Sequence, residues 1–176
     1  MRAVVVYESM YGTTRQVAEA IAQGLRQGSV DATVLPVADA SPDAVQQADL
    51  LVVGGPTHVH AMSRPATRAS AVDQADAHGL SVEEGAAGSG LREWFESMPS
   101  VHAVASAAFD TRLDGPKMFT GQAARGIAKA LRRHGLPLVA APESFLVDKQ
   151  TVLLPLELTR AVDWGRALVE HSLMAS

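Results

Sequence analysis

The sequence predicts an α/β fold in which helices cover both faces of a parallel β-sheet. Short apolar runs alternate with amphipathic segments along the chain, the pattern of strands joined by crossover helices. The strongest runs are apolar at consecutive positions, which is typical of strands buried on both faces. With 176 residues the chain is long enough for one well-buried core, and we expect a single domain over residues 1–176.

The first strand and the first helix have the clearest patterns. Arg2 to Tyr7 reads RAVVVY, a β-branched run that predicts a buried strand. Val17, Ile21 and Leu25 then recur at helical spacing. Gly28 is the expected end of this helix, because glycine favours the position just after a helix.

A second strand, a second helix and a third strand follow. Thr33 to Val37 predicts a short strand of mixed character. Ser41 is the expected N-cap of the next helix, with Pro42 at its first position and Asp43 in its first turn. Asp49 to Gly55 reads DLLVVGG and predicts the second strongly apolar strand.

The second half of the chain predicts two more strands and two more helices. His102 to Phe109 reads HAVASAAF, a strand of small residues, and a fifth strand lies within Leu136 to Val147. An amphipathic helix is expected from Gly121 to His134, and a final helix from Leu156 to Met174. Five strands alternating with helices complete the α/β pattern.

A long excursion separates the third and fourth strands, at about residues 63–100. It is too long for a single crossover helix. Its middle, HGLSVEEGAAGSG, predicts a glycine-rich loop, and we expect a short helix on each side, the second near Leu91 to Phe95. Long excursions in compact domains often carry function, so this segment is a candidate lid.

The composition excludes several classes of function. The chain has 15 Lys and Arg against 19 Asp and Glu, a net charge of −4 that disfavours a nucleic-acid partner. It has no cysteine, which excludes disulfides, zinc–thiolate sites and thiol catalysis. No apolar run is long enough to cross a bilayer and no signal peptide is visible, so we expect a cytoplasmic protein without membrane insertion.

The turn after the first strand reads SMYGTT, residues 9–14, and is rich in hydroxyl groups. Ligands of open parallel sheets lie beyond the carboxyl ends of the strands, where the N-terminus of the next helix favours an anion. Ser9, Thr13 and Thr14 add hydroxyl donors, and Gly12 lets the backbone approach closely. The turn fits a phosphate, although a helix N-cap alone uses the same residue types.

Other nucleotide loops are excluded by missing motifs. The chain has no GxxxxGK[ST] loop for a triphosphate and no GxGxxG after the first strand. A phosphoacceptor receiver domain needs an aspartate at the end of its third strand, where this chain has Gly54-Gly55-Pro56. Both kinds of nucleotide loop and the receiver domain are therefore set aside.

Three loops carry a resemblance to the flavodoxin family. The turn at residues 9–14 resembles the family's phosphate loop, S/T-x-T/Y-G-x-T. Gly55-Pro56-Thr57 is similar to its second flavin loop, and Ala108 to Thr111 stands where its third loop follows the fourth strand. The resemblance covers nearly the whole chain apart from the long excursion.

The resemblance implies a doubly wound three-layer sandwich with a five-stranded parallel sheet of order 2-1-3-4-5. It also implies one non-covalently bound FMN, with the phosphate in the first loop and the isoalloxazine ring between the other two. The residues implied to bind FMN are Ser9, Met10, Tyr11, Gly12, Thr13, Thr14, Pro56, Thr57, His58, Val59, His60, Ala108, Phe109, Asp110, Thr111 and Arg112.

The flavin loops depart from the family pattern in their aromatic residues. Electron-shuttling flavodoxins place the ring between a tryptophan in the second loop and a tyrosine in the third. This chain has HVHAM at residues 58–62 and only Phe109 in the third loop. Without stacked aromatic faces the flavin is expected to be more open, which favours an enzyme that reduces a substrate.

The charges near these loops also depart from the pattern, since typical flavodoxins are acidic there. A cation near the flavin ring stabilises its reduced, anionic form. Solvated surface positions are the alternative interpretation, because exposed charge is the rule for arginine. The four residues concerned are Arg15, Arg64, Arg68 and Arg112.

Two histidines and two aromatic residues have competing interpretations. The side chains of His58 and His60 would face the same way in an extended segment. The two residues could then form a metal pair, contact the flavin as proton donors, or be plain loop residues. No further ligands for a metal are identifiable, and we predict no metal site. Trp94 and Phe95 on their short helix fit core packing or a flavin lid.

The function predicted from the resemblance is redox chemistry through FMN. A single-electron carrier would serve a redox partner protein, whereas a reductase would pass hydride from NAD(P)H to a quinone or similar small-molecule acceptor. A flavodoxin-like module that has lost its flavin and binds a partner is the third possibility, and a homodimer is compatible with each. No catalytic residue is assigned.

Overall fold

The computed structural model describes residues 1–75, 77, 79–98 and 105–174. In this part of the chain, six strands form one sheet. The strands are β1 (Arg2–Tyr7), β2 (Asp31–Pro36), β3 (Leu50–His58), β4 (Ala61–Met62), β5 (Ala105–Leu113) and β6 (Glu143–Val147). The helices are α1 (Thr13–Gln27), α2 (Pro42–Gln46), α3 (Pro65–Ala75), α4 (Leu91–Ser97), α5 (Lys117–Thr120), α6 (Ala123–Arg133) and α7 (Glu157–Met174).

Five parallel strands run in the order β2-β1-β3-β5-β6, and β4 pairs antiparallel with β3. Leaving out the short β4, this is the order 2-1-3-4-5 that the resemblance implied, so the flavodoxin-like α/β fold is confirmed. The register places Val5 opposite Val34 on one side and opposite Val52 on the other. Val52 in turn lies opposite Ala107.

Successive residues of the central strands pack on opposite faces of the sheet. Val5 and Val52 belong to a core cluster on one face, whereas Val6 and Val53 belong to a cluster on the other. Because side chains alternate along a strand, burial of both faces requires apolar residues at every position. This explains why β1 and β3 are continuous apolar runs.

Helices α1 and α7 cover one face of the sheet, and α4 and α6 pack on the other. The first pair crosses closely at two glycines. A Cβ atom on Gly24 would lie 2.0 Å from the carbonyl oxygen of Val162, and one on Gly165 would lie 2.2 Å from that of Ile21. The two helix backbones are therefore in contact where neither glycine has a side chain.

Replacing Gly165 with alanine is expected to lower the free energy of unfolding by about 1–3 kcal/mol, because the added methyl overpacks a backbone contact. Gly126→Ala in α6 is the control, since its new Cβ would lie 3.4 Å from the flexible end of Met62. That change is expected to stabilise the protein by roughly 0.5–1 kcal/mol through helix propensity. Urea unfolding measures both effects, and equal signs for the two variants would contradict the close crossing.

Most predicted elements are confirmed with shifted ends. Helix α1 ends at Gln27 before Gly28, and Ser41 caps α2 by accepting a hydrogen bond from the Ala44 N–H at 3.3 Å. The excursion contains the two predicted short helices, α3 and α4. Residues 102–104 of the predicted fourth strand lie outside the described residues. No helix in the described ranges is long and apolar enough to cross a membrane.

Two expectations about element ends were wrong, and one short helix was missed. The third strand continues past Gly55 to His58 and then turns into β4, and the fourth continues past Phe109 to Leu113. The short helix α5 was not predicted. The first two differences place residues that were expected in loops inside the sheet. Contacts at the carboxyl edge of the sheet hold these residues there.

Candidate functional site

A cavity of about 600 Å³ opens beyond the carboxyl ends of β1, β3, β5 and β6. This is the edge of the sheet where the sequence predicts a ligand. Ten of the sixteen predicted residues line the cavity, namely Met10, Tyr11, Thr13, Thr14, Pro56, Thr57, His58, Val59, Thr111 and Arg112. The other six, Ser9, Gly12, His60, Ala108, Phe109 and Asp110, are not among its lining residues.

The turn at residues 9–14 is held in shape by its own hydroxyl groups. Gly12 has φ 88° as the N-cap of α1, a left-handed conformation that favours glycine. The Gly12 N–H donates to Ser9 Oγ at 3.1 Å. The Thr13 hydroxyl donates to the Thr151 carbonyl at 2.6 Å, and the Thr14 and Thr111 hydroxyls lie 2.7 Å apart. The two threonines thus connect the turn to the loop after β6 and to β5.

One wall of the cavity is the hairpin between β3 and β4. Its two-residue loop is Val59-His60, with φ values of 45° and 71°. Positive values at both positions are those of a type I′ turn, which normally selects asparagine and glycine. A β-branched valine is strained in this conformation, and Val59 is nevertheless 78% exposed at the cavity. The sequence contained no turn residue that could have signalled this hairpin.

The opposite wall is the end of β5. Thr111, Arg112 and Leu113 line the cavity, whereas Ala108, Phe109 and Asp110 are buried within the sheet. Phe109 contacts Phe145 and Trp164 edge to face rather than the cavity. The flavin contacts that the resemblance implied for residues 108–112 therefore coincide with the cavity only at 111 and 112.

Arg112 is 8% exposed, and its guanidinium is only partly satisfied. Its Nη1 donates to the Leu113 and Gly115 carbonyls and to the Thr120 hydroxyl, the last two at 2.8 Å. Its Nε is buried and has no hydrogen-bond partner among the described residues. A buried cationic donor without an acceptor is costly, and Arg112 is also among the residues that line the cavity.

Asp110 remains buried because it binds the start of a helix. Its Oδ2 accepts the Ala124 N–H at 2.8 Å and the Thr57 hydroxyl at 3.2 Å. The Thr57 hydroxyl accepts the Ala123 N–H at 2.9 Å. These bonds satisfy the first N–H groups of α6 and explain how β5 can continue through a polar residue. Burial raises the pKa of Asp110, and the bond from Ala124 opposes that shift.

Asp110→Asn is expected to become more stable relative to the wild type as pH rises. The carboxyl has a higher pKa in the folded protein than its ordinary value of about 3.9 when unfolded. The wild type therefore loses stability as pH rises from that ordinary value through the raised one, whereas the amide does not titrate. Urea unfolding at acid and neutral pH measures the difference, with the exposed Asp43→Asn as control. A pH-independent difference for Asp110→Asn would contradict the raised pKa.

Helix α3 forms a third wall over the cavity. Thr67, Ser70 and Gln74 are polar members of its lining, and the Tyr11 hydroxyl donates to the Ala71 carbonyl at 2.8 Å. Tyr11 therefore joins the turn to α3 instead of lying free in the cavity. Val147, Lys149 and Thr151 line the side next to β6. These three residues were not predicted as site residues, although their position at the carboxyl end of the last strand could have indicated them.

A buried polar cluster fixes the excursion next to the turn. We call Glu8, Ser63, Arg68 and Glu93 the clamp. Ser63 donates to Glu8 Oε1, and Arg68 donates to Ser63 Oγ at 2.9 Å and to Glu93 at 3.0 Å. Glu8 also accepts the Leu91 N–H at 2.9 Å, at the start of α4. Arg68 is only 2% exposed, so the surface interpretation of this arginine was wrong.

The loop of the excursion contacts the turn a second time. The Glu83 N–H donates to the Met10 carbonyl at 2.9 Å. The Glu83 carboxylate accepts from Arg15 Nε at 2.6 Å, and Arg15 also pairs with Glu19 at 3.2 Å. The positive charge of Arg15 beside the turn is thus met by two carboxylates, while Arg64 is exposed as expected for a surface arginine.

The structure also bears on the alternatives for the two aromatic residues and for His58. Trp94 and Phe95 are core residues: Trp94 donates from Nε1 to the Ala40 carbonyl at 2.8 Å, and Phe95 stacks on His134. Burial lowers the pKa of His58, and nearby Arg68 lowers it further while Glu8 opposes. The lowered pKa favours the neutral form of His58. The described residues contain no group of three His, Asp or Glu side chains able to hold a metal ion.

The donors around the cavity fit a phosphorylated, planar cofactor. The volume lies within the roughly 300–1,000 Å³ usual for small-molecule sites. The lining includes Thr13 and Thr14 at the N-terminus of α1, which suits an anion. It also includes Arg112, whose positive charge suits an electron-rich ring edge. Tyr11 is the aromatic side chain among the lining residues.

Comparison with known proteins also indicates a flavodoxin-like fold. Residues 5–89 match the family model for flavodoxin. A flavodoxin from the domain Archaea is 22% identical, with TM-score 0.68 over 98% of this chain and 99% of that one. Flavodoxin 1 from Bacillus cereus is 16% identical, with TM-score 0.68 over 97% and 99%. At these identities the solved structures show the fold.

A larger protein contains a similar unit. The flavodiiron core from Synechocystis is 16% identical, with TM-score 0.62 over all of this chain and 37% of that one. Among curated proteins, none matches the chain significantly.

Proposed function

We propose that this chain is a flavodoxin-family domain that binds FMN non-covalently in the cavity and transfers electrons through it. The observation that carries the proposal is the coincidence of a phosphate-loop sequence with the cavity. The turn at residues 9–14 starts α1 at the carboxyl edge of the sheet, and four of its residues line the space beyond.

The residues of the chain would divide the work of binding. The N–H groups at the start of α1 and the hydroxyls of Thr13 and Thr14 would hold the phosphate, after exchanging their present bonds to Thr151 and Thr111. The Val59 hairpin and the end of β5 would flank the ring, and Arg112 would donate to its polar edge. Bound FMN would supply the capacity to accept and release electrons.

The walls favour a second candidate, an FMN-dependent reductase of the NAD(P)H:quinone type. The hairpin presents His58 and Val59 to the cavity where electron-shuttling flavodoxins have tryptophan. Together with the cationic Arg112, this leaves a ring face less covered and a reduced flavin better stabilised. Because the lowered pKa favours its neutral form, His58 would accept a hydrogen bond there.

The test is a visible absorption spectrum of the purified protein, followed by titration with FMN. Flavin absorption in the purified protein, or one-to-one quenching of FMN fluorescence, is the expected result. Titration with riboflavin, which lacks the phosphate, is the matched control and should bind more weakly. Absence of binding at high FMN would overturn the proposal and leave a flavin-free binding module. Oxidation of NADPH with a quinone present then separates reductase from carrier.

A further inference from the structure

A part of the surface next to the cavity has a charge opposite to that of the whole chain. Residues 115–142 contain five of the 15 Lys and Arg and no Asp or Glu. The rest of the chain therefore has ten basic side chains against 19 acidic ones. We call the five the basic face: Lys117, Arg125, Lys129, Arg132 and Arg133.

The charges of the basic face are not neutralised within the described residues. All five side chains are exposed, and the ion pairs seen in the structure involve other arginines. Lys117, Arg125, Lys129 and Arg132 line a groove of about 770 Å³ along α5 and α6. Unpaired charges of one sign along a groove produce a local potential that attracts an oppositely charged partner.

Large apolar side chains accompany these charges. Met118 is 82% exposed and Phe119 is 71% exposed, both on α5. Exposed apolar groups beside a charged rim are characteristic of protein interaction sites. A surface designed only for solubility has no reason to expose them, and a polyanion such as DNA would gain little from them.

The segment that carries the basic face is hydrogen-bonded to both edges of the cavity. The Gln122 N–H donates to the His60 carbonyl at 3.2 Å, next to the Val59 hairpin. On the other side, Arg112 Nη1 donates to the Thr120 hydroxyl at 2.8 Å. Gly121 has φ 77°, and a Cβ there would lie 2.1 Å from the His60 Cα, so α5 and the hairpin are packed backbone to backbone.

We propose that the basic face docks an acidic electron-transfer protein and places it at the mouth of the cavity. The proposal rests on the proposed function, because the cavity is taken as the flavin site. Opposite charges speed the encounter and orient the two proteins. The apolar side chains of α5 then contribute contact area to an interface of the small size usual for transient redox complexes.

Two experiments separate this proposal from flavin binding. Binding of an acidic plant-type [2Fe–2S] ferredoxin to immobilised protein requires no flavin, and basic cytochrome c serves as the opposite-charge probe. The test variant is Arg125→Glu/Lys129→Glu, and the control is Arg26→Glu/Arg166→Glu on the α1–α7 side, with the same change in net charge. FMN titration of each variant reports independently on the cavity.

The wild type is expected to bind ferredoxin more tightly than cytochrome c at low salt. The Arg125→Glu/Lys129→Glu variant should lose about tenfold or more in association rate with ferredoxin, and the loss should vanish at high salt. The control should change much less, and FMN affinity should be unchanged in both. Equal losses in the two variants, preference for cytochrome c, or tighter binding of a DNA oligonucleotide than of ferredoxin would overturn the docking proposal.

When FMN is bound, the same variant should slow electron transfer from reduced ferredoxin to the flavin by a similar factor. A protein that binds ferredoxin but no FMN would retain the docking surface and disprove the proposed function. A protein that binds FMN, but binds ferredoxin and cytochrome c equally well and is unaffected by the Arg125→Glu/Lys129→Glu change, would retain the flavin site and disprove the docking proposal. Every combination of the two readouts thus decides one proposal or the other.

Discussion

Replacing Thr13 and Thr14 together with valine is expected to weaken FMN binding by at least about a hundredfold, because a hydrogen bond to a charged group contributes roughly 1.5–3 kcal/mol. Both residues line the cavity at the start of α1. Valine retains the shape of threonine but not its hydroxyl, so the loss reports on phosphate contacts. Quenching of FMN fluorescence measures the dissociation constant. With riboflavin in place of FMN, the variant and the wild type should have almost the same dissociation constant.

The control for this prediction is Thr33→Val on β2, which is exposed and does not line the cavity. It should leave FMN affinity unchanged. Thermal unfolding of each variant is needed as well, because the Thr14 hydroxyl also bonds to Thr111. A folded double variant with wild-type FMN affinity would show that the turn at residues 9–14 is an ordinary helix cap.

Arg68→Met is expected to lower the free energy of unfolding by about 3–5 kcal/mol, the usual cost of removing one partner from a buried ion pair. The clamp would then hold Glu8 and Glu93 without their cation, and Glu8 is itself buried. Gly90 packs directly against Arg68 and Glu8: a Cβ there would lie 2.5 Å from Arg68 Nη1 and 2.6 Å from Glu8 Oε2. Little space is therefore available for water to replace the lost charge.

Arg64→Met is the matched control, because Arg64 lies in the same segment and is exposed. Its substitution should change stability by less than about 0.5 kcal/mol. The double variant Glu8→Gln/Arg68→Met should recover part of the loss, since it removes the uncompensated carboxylate. Urea unfolding measures all three variants. Similar values for Arg68→Met and Arg64→Met would show that the buried cluster contributes no stability.

The sheet and the turn were predictable because their signals are local. Burial on both faces requires uninterrupted apolar runs, and β1 and β3 have them. The turn at residues 9–14 precedes α1 as the sequence indicated, and its Gly12 has the left-handed conformation that favours glycine. The two helices of the excursion also followed from local pattern, and Glu93, which accepts the Gly90 N–H at 2.7 Å, is the N3 acid typical of a helix start.

What could not be predicted depends on contacts between distant segments. Asp110 looks like the end of a strand, yet α6 supplies the donors that allow it to be buried. Arg68 looks like a surface residue until Ser63 and Glu93 are brought to it from either side. The Val59 hairpin has no local preference for its conformation and is held by the backbone of Gly121. Local sequence encodes none of these pairings.

The close crossing of α1 and α7 also bears on how the chain folds during synthesis. Helix α1 is made before the other helices of the described residues, whereas α7 is made after all of those strands and helices. The glycine contact between them, and the apolar face of α1 that it covers, therefore remain open until Met174 has emerged. A nascent chain lacking α7 leaves the α1 surface around Gly24 uncovered, so completion of this layer is a late event in biogenesis.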